Sequence, residues 1–391
     1  MEDFKNSVAH LDVDVQTAVS VSSVVGENFW KFMYITNETI ESLSSASTPL
    51  LITMDTYSDV IDSLGIADAD KVALIKKNLA SIFDYASSAQ GYIITADTYE
   101  KFKYYAYWCY LETEYELDSG TGKLQFNSAT SAMMAIIDEK KDAAFSGFIA
   151  DLAVDAVGSI SAAPSSVVDD FMSTLGALTV AVCFFARGAS SEYAWKGDDI
   201  TVGYSPALYQ IGRTLGFINS TGTPIGNSSD SVACTFQDVL PTRSTSTSVL
   251  VNPSALFINW CQSNKVAYFK TIGNGTGQVA CYGGWTLKTT ALSADWIVAY
   301  VNFMAKIRVA EIITVMNTYR NSVLYTKCVS VLNDLLTPFS ELGRIVYYIT
   351  APSWAVAQSL GDRETIVIPD AWEGTYYDNN RKVRIQGALT I

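Results

Sequence analysis

Residues Val383 to Ile391 carry a period-two pattern: Ile385, Leu389 and Ile391 share one face with Gly387, while Arg384, Gln386 and Thr390 take the other. That is the mark of a half-buried β-strand, and it runs to the last residue of the sequence. Backbone N–H and C=O groups must be paired once they leave water, so the segment needs a partner strand. Toward the other end, Leu11, Val13 and Val15 alternate with Asp12, Asp14 and Gln16. Two strand-like arms at opposite ends have two solutions. They pair with each other in one sheet, or they are exchanged between copies of the chain. The second solution makes a polymer, and it is the one expected here.

The 391 residues, 49% of them hydrophobic, suffice for two or three domains with a sizeable core, which excludes general disorder. Twelve per cent aromatic residues, with Tyr the most frequent at 22, favour large packed surfaces. No stretch approaches the ~20 apolar residues of a membrane span. The nearest, Leu175 to Ala186, stops at Arg187 and reads as a buried helix. Direct membrane insertion is therefore not expected. Glu2 and Asp3 precede a polar run with no apolar segment, so no signal peptide of the usual kind is expected either.

The net charge of −14 argues against nucleic acid, which requires a basic footprint. Charge is unevenly placed. Residues 1–200 hold 12 Lys/Arg against 29 Asp/Glu, a balance of −17, and residues 201–391 hold 14 against 11, a balance of +3. One acidic and one mildly basic half suits head-to-tail self-association as well as it suits a plain solubilising surface. Six cysteines (Cys109, Cys183, Cys234, Cys261, Cys281, Cys328) form no CxxC pair. Reduced thiols packed as small hydrophobes are the expectation.

Along the chain, strands are expected within Phe29 to Thr36, at Leu50 to Ile52 and at Tyr92 to Thr95. A short helix bears Tyr57, Val60, Ile61 and Leu64 at helical spacing, with Thr56 as N-cap and Gly65 just past its end. A second begins near Asp68 to Asp70 and buries Val72, Ile75, Leu79, Ile82 and Phe83. This alternation indicates an α/β layer architecture of mixed α+β character. The aromatic stretch Tyr99 to Tyr115 fits helix or strand. Residues 129–190 read as mostly helical, and residues 200–290 as short β pieces between turns. Helices follow over 293–318 and about 324–336, with Pro338 just beyond, and Thr365 to Pro369 reads as a strand ending in proline. The segments are an N-terminal arm (1–25), a first α/β part (26–200), a β-rich then helical part (201–370) and a C-terminal arm (371–391).

Tests for chemistry come back empty. The single histidine, His10, lies in the N-terminal arm, which removes most Ser-His-Asp, Cys-His and His-metal constellations. Glu112, Glu114, Glu116 and Asp118 alternate along one segment and read as a solvated face or a cation-tolerant patch rather than a catalytic dyad. Gly273-Asn-Gly-Thr-Gly277 lacks the GKS/T ending of a phosphate loop and precedes a strand-like Gln278 to Cys281, so a hairpin turn is expected. Neither an enzyme nor a cofactor, nucleotide or metal site is expected.

Several segments resemble the tail-sheath proteins of contractile-tailed bacteriophages. They are Tyr204-Ser-Pro-Ala-Leu208, Gly216 to Asn227, Val266-Ala-Tyr-Phe-Lys-Thr-Ile-Gly-Asn-Gly275, Gly283-Gly-Trp-Thr-Leu-Lys288 with Ala294-Asp-Trp-Ile297, and the ending Ile366 to Pro369 … Arg381 to Ile385 … Gly387-Ala388. The resemblance implies a sheath-type α/β core whose terminal arms each add a strand to a small sheet of neighbouring subunits, giving a helical homopolymer. It implies an inner tail tube, a baseplate and a tail terminator as partners, and a place in the virion after assembly in the host cytoplasm. Contraction would be a rigid-body transition between bistable interfaces. The arm residues Leu11, Val13, Val15, Val383, Ile385, Gly387, Leu389 and Ile391 are then the subunit contacts. Deleting the last nine residues is expected to stop polymerisation and leave the core folded. Two alternatives remain open: another virion polymer, capsid or tail tube, and a monomeric carbohydrate-active or surface-binding protein using the aromatic stretch near Trp108.

Overall fold

The computed structural model describes residues 8–9, 31–83, 86–95, 98, 108–117, 119–120, 124–139, 148–153, 182–187, 207–208, 211–212, 215, 254–272, 278–282, 297, 300–301, 304–305, 307–312, 322–341, 343, 345–360, 367–378 and 381–390. Two compact units emerge: one comprises Asn28–Leu292, the other Ser293–Ile391 together with Met1–Glu27. The unit boundaries thus cut the chain differently from the four segments read in the sequence. The first strand, β1 (Val8–Ala9), belongs to the smaller unit.

The larger unit is built on β2 (Lys31–Thr36), β3 (Leu50–Ile52), β4 (Gln90–Thr95), β5 (Trp108–Leu111), β8 (Phe148–Ala153), β9 (Val182–Arg187), β10 (Val266–Ile272) and β11 (Gln278–Tyr282). Their order in space is β11-β10-β9-β8-β5-β2-β4-β3. Neighbours from β4 across to β10 run parallel, and the two outermost pairs, β3/β4 and β10/β11, are antiparallel. A separate hairpin joins β6 (Tyr115–Leu117) to β7 (Leu124–Phe126). The chain therefore moves from β2 to β4 on one side, then returns across β2 to β5 and proceeds outward. That reversal is the switch point of a doubly wound sheet. Strands β10 and β11 pair antiparallel, with Ile272 opposite Gln278, so Gln278 to Cys281 is a strand as expected; Gly273 to Gly277 lie outside the described residues.

Strands buried on both faces carry no polar alternation. Phe32, Met33, Tyr34 and Ile35 are all fully buried, and β2 reads as an unbroken apolar run. The same physics corrects the reading of residues 129–190. Only α4 (Ser128–Glu139) is helical there among the described residues; Phe148–Ala153 and Val182–Arg187 are central parallel strands. Of the expected helix over Leu175 to Ala186, Val182 to Ala186 are strand and residues 175–181 lie outside the described residues. Within 200–290, α5 (Ala255–Ser263) is a helix that the β reading passed over, opened by the Ser254 side chain accepting from the Phe257 N–H at 3.1 Å.

Two shorter helical readings fare better. After α1 (Glu41–Ser44) comes α2 (Tyr57–Ser63), and Gly65 turns the chain at φ +74°. Thr56 occupies the N-cap position, but its hydroxyl bonds Thr53 instead of the helix. Asp68 caps α3 (Ala69–Phe83), accepting from the Asp70 N–H at 2.9 Å and the Lys71 N–H at 3.3 Å. The helix buries Ile75, Leu79, Ile82 and Phe83, with the Phe83 ring edge-on to Phe32 at 5.7 Å. Val72 is only half-buried, and Lys71 and Asn78 are buried instead. Close packing demands glycine twice: a Cβ at Gly91 would lie 2.2 Å from the Phe32 ring, and one at Gly212 would lie 2.8 Å from the Ile82 carbonyl oxygen.

In the smaller unit, helical residues within 297–312 bury Ile297, Tyr300, Val301, Met304, Ala305, Ile307 and Val309. Helix α6 (Ser322–Glu341) presents Leu324, Cys328, Val331, Leu332, Leu335, Leu336 and Phe339 as one buried stripe, and Phe339 meets Tyr300 edge-to-face at 5.5 Å. Pro338 lies inside this helix, not beyond it. It deprives only the Asp334 carbonyl of its helical donor, on an exposed residue. Strand β12 (Ile345–Ile349), helix α7 (Trp354–Leu360) and strands β13 (Val367–Asp378) and β14 (Arg381–Thr390) complete the unit. The described cysteines outside strands β9 and β11, namely Cys109, Cys261 and Cys328, are buried and free. Burial raises all three thiols, Cys328 to about 12, which makes them inert packing groups.

Candidate functional site

Two places hold polar groups or strand edges in arrangements that core packing alone does not require. The first is the four-stranded sheet of the smaller unit, ordered β1-β14-β13-β12. Strands β12, β13 and β14 form an antiparallel meander, and β14 pairs with β13 from Asp378/Arg381 to Val367/Thr390. Strand β13 does not end at Pro369. The register shifts between Ile368 and Trp372, so that Pro369 falls in a bulge where its missing N–H breaks no ladder. On its outer side β14 is joined by β1 in parallel, with Val8 opposite Gln386 and Ala9 opposite Gly387.

The arm residues can now be placed. Val383, Ile385, Gly387 and Leu389 lie in β14 opposite Tyr376, Gly374, Trp372 and Ile368. Leu11, Val13, Val15 and Ile391 lie outside the described residues, as does His10. Gly387 is flanked by Trp372 on one side and Ala9 on the other. Trp372 is fully buried, and its indole Nε1–H has no hydrogen-bond partner among the described residues. Of the two solutions open to the terminal strands, this single chain adopts pairing within one sheet. Residues 383–390 pair with most of β13 within the chain, which bears on the expectation that the core can spare residues 383–391.

The second place lies at the C-terminal ends of β2 and β5, at the switch point. The Lys71 ammonium sits 2.7 Å from Glu112 Oε1, 2.7 Å from Glu114 Oε1 and 3.5 Å from Glu38 Oε1. It also donates to Asn37 Oδ1 at 3.4 Å. Thr36, the last residue of β2, donates its hydroxyl to Glu112 Oε2 at 2.7 Å. Asn127 donates to Glu114 Oε2 at 2.8 Å, and its own carbonyl side-chain oxygen accepts from the Thr130 N–H at 2.8 Å, capping α4. One network thereby ties β2, α3, the segment after β5 and α4.

Lys71 and Glu112 are 8% and 5% exposed, which corrects the reading of Glu112 as part of a solvated face. Lys71 sits in the first turn of α3, where the helix dipole disfavours a cation. Burial alone lowers its ammonium, but the Glu112 and Glu114 carboxylates outweigh burial and hold it above the ordinary lysine range. Burial pushes the Glu112 carboxyl up, and Lys71 and Thr36 pull it back only in part. Glu114 is half exposed; burial pushes it up, yet hydrogen bonds and the charge of Lys71 bring it below the usual carboxylate value. Ligands of doubly wound folds bind in the crevice at this point. Here the Lys71 ammonium is held among the carboxylates of Glu38, Glu112 and Glu114, a structural tie. Among the described residues no group of three His, Cys, Asp or Glu could hold a metal ion, and no helix is long and apolar enough to cross a membrane.

No protein-family model matches the chain, and no curated protein matches it. Among solved structures, it is similar to a chain of the PVC sheath complex of an extracellular contractile injection system in its contracted state. The TM-score is 0.51 at 10% identity, over 92% of this chain and 88% of that one. It is also similar to a chain of the anti-feeding prophage (AFP) baseplate, with a TM-score of 0.46 at 12% identity over 94% of each. At such identity the first likeness establishes architecture: this α/β chain, with its doubly wound sheet and its sheet of terminal strands, has the fold of a contractile-injection-system sheath-complex protein.

Proposed function

We propose that the chain is a structural, non-enzymatic subunit of a contractile sheath, as in a phage tail, polymerising around an inner tube by exchange of terminal strands. The observation that carries this reading is the sheet β1-β14-β13-β12, in which strands from opposite ends of the sequence meet. A strand from the N-terminal arm of one copy can take the place of β1 on β14 of the next, because the pairing is main chain to main chain and asks only for the same short sequence. Such a contact is head-to-tail and propagates as a helix instead of closing. The likeness of the fold to a sheath-complex protein supports the reading by analogy. The inner tube, the baseplate and a terminator are the partners it entails, and assembly precedes incorporation into the particle.

Negative-stain electron microscopy of the recombinant chain, across salt and concentration and with tube protein as template, tests it. Helical tubes with a wide lumen are expected from the full chain. A chain lacking residues 1–9 should form none while keeping its thermal transition. Tubes of normal length from the truncated chain would sink strand exchange.

A further inference from the structure

Among the described residues, β1 covers the outer edge of the ten-residue β14 opposite Gln386 and Gly387. The pairing is parallel, the weaker of the two ladder types per residue. An uncovered strand edge is a template for uncontrolled pairing with other chains. At these two positions the chain's own strand occupies the edge that a second copy of the same strand would need. We infer that β1 seated on β14 of its own chain is the unassembled form of the arm, holding the acceptor edge closed until the β1 of a second copy replaces it. The inference rests on the strand-exchange reading above and adds regulation to it.

The physical argument is one of symmetry between the closed and exchanged states. The incoming strand is the same sequence and makes the same two residue pairs that it displaces. Exchange therefore gains nothing at β14 itself. The balance lies elsewhere: the chain's own β1 is favoured by tethering, which sets a high effective concentration, and the neighbour's β1 is favoured once other subunit contacts hold it in place. Isolated chains stay closed, and chains docked on a growing end exchange. This is the behaviour of a strand swap, whose closed and open forms share their contacts.

The test locks the closed form through the register pair Val8/Gln386, as Val8→Cys with Gln386→Cys in the full chain; the described free thiols are buried and do not compete. A fluorescent peptide of residues 1–15 is titrated against the reduced double variant, the oxidised one and a chain lacking residues 1–9, read by anisotropy. Binding is expected to be tightest for the truncated chain, about threefold weaker for the reduced full chain, in proportion to its open fraction, and lost on oxidation until a reductant restores it. Equal binding to all three forms, or a disulfide that forms only between chains, overturns the self-seated arm and leaves strand exchange standing. Failure of the peptide to bind even the truncated chain removes β14 as an acceptor and overturns both readings.

Discussion

The two sheets of this protein hold their strands by different means. In the larger unit, β5, β8, β9 and β10 lie side by side in chain order and parallel, and the described buried charges have polar partners: Lys71 the carboxylates of Glu112 and Glu114, Asp151 the Tyr110 hydroxyl and the Ala207 N–H. In the smaller unit the sheet is an antiparallel meander whose outermost strand is two residues from the other end of the sequence. In the first sheet β2 is buried from Phe32 to Thr36, whereas in the second β1 joins β14 at two described positions. On the strand-exchange reading proposed above, rigidity and connectivity then fall to different regions.

The contrast inside the smaller sheet yields the largest expected effect. Deleting residues 383–391 removes most of the partner of β13 and uncovers Trp372, which is fully buried. Loss of the cooperative fold of the smaller unit is expected, seen as a missing or strongly lowered thermal transition and as rapid proteolysis within residues 293–382. A truncated chain that melts like the full one would show β14 to be as dispensable as β1, and the distinction drawn between them would fail.

Next in size is the tie at the switch point. Removing one member of a buried ion pair strands the other, at a cost of roughly 3–5 kcal/mol, and Lys71→Ala should lose about that much in urea unfolding. Lys71→Met combined with Glu112→Leu should recover more than half, because neither charge is then left unpaired. The alkaline limb adds a sign. The ordinary lysine value is 10.5, and the folded protein holds Lys71 above it. As pH rises past 10.5 the unfolded chain loses that proton first, so the stability contributed by Lys71 is present below 10.5 and lost as pH climbs through the folded value. The gap between the wild type and Lys71→Met should narrow over that range. An unchanged gap would mean the lysine contributes by packing alone.

Much of the larger unit was legible because its signals are local. Thr56 and Gly65 bracket α2, and Asp68 opens α3, so cap, stripe and stop agree within a few residues. β8 was not legible, since Ile149, Ala150 and Asp151 are all buried and a strand covered on both faces loses the alternation that separates strand from helix. The tie was missed because its members are remote: Glu114 is 43 residues from Lys71, and Thr36 is 76 from Glu112. One trace of it was present. Lys71 and Asn78 stand with Ile75, Leu79 and Ile82 on the same stripe of α3, and a lysine on an apolar stripe asks for a buried acid. Asn78 likewise donates to the buried Tyr34 hydroxyl, at 3.1 Å. The C-terminal strand was visible as a strand, while the N-terminal alternation at Leu11 to Val15 lies outside the described residues; period-two pattern says nothing about whose strand a partner is, so the intrachain pairing of β1 with β14 came only from the structure.

The smallest expected effect is the most pointed. Each backbone hydrogen bond contributes roughly 0.5–1.5 kcal/mol net, and fixing the backbone of one residue costs roughly 1–2 kcal/mol. For the two described residue pairs of β1 these nearly cancel, so deleting residues 1–9 should change unfolding stability by less than about 1 kcal/mol. The same deletion should abolish self-assembly, and mixed at one part in ten with the full chain it should shorten whatever tubes form, because a truncated copy accepts a strand and offers none. A stability loss comparable to that of the 383–391 deletion would make β1 a structural strand of its own unit, held too firmly to be exchanged. A near-zero loss with intact assembly would make it ornamental. Only the pairing of a negligible stability change with a complete assembly defect fits a strand whose work is done on another copy.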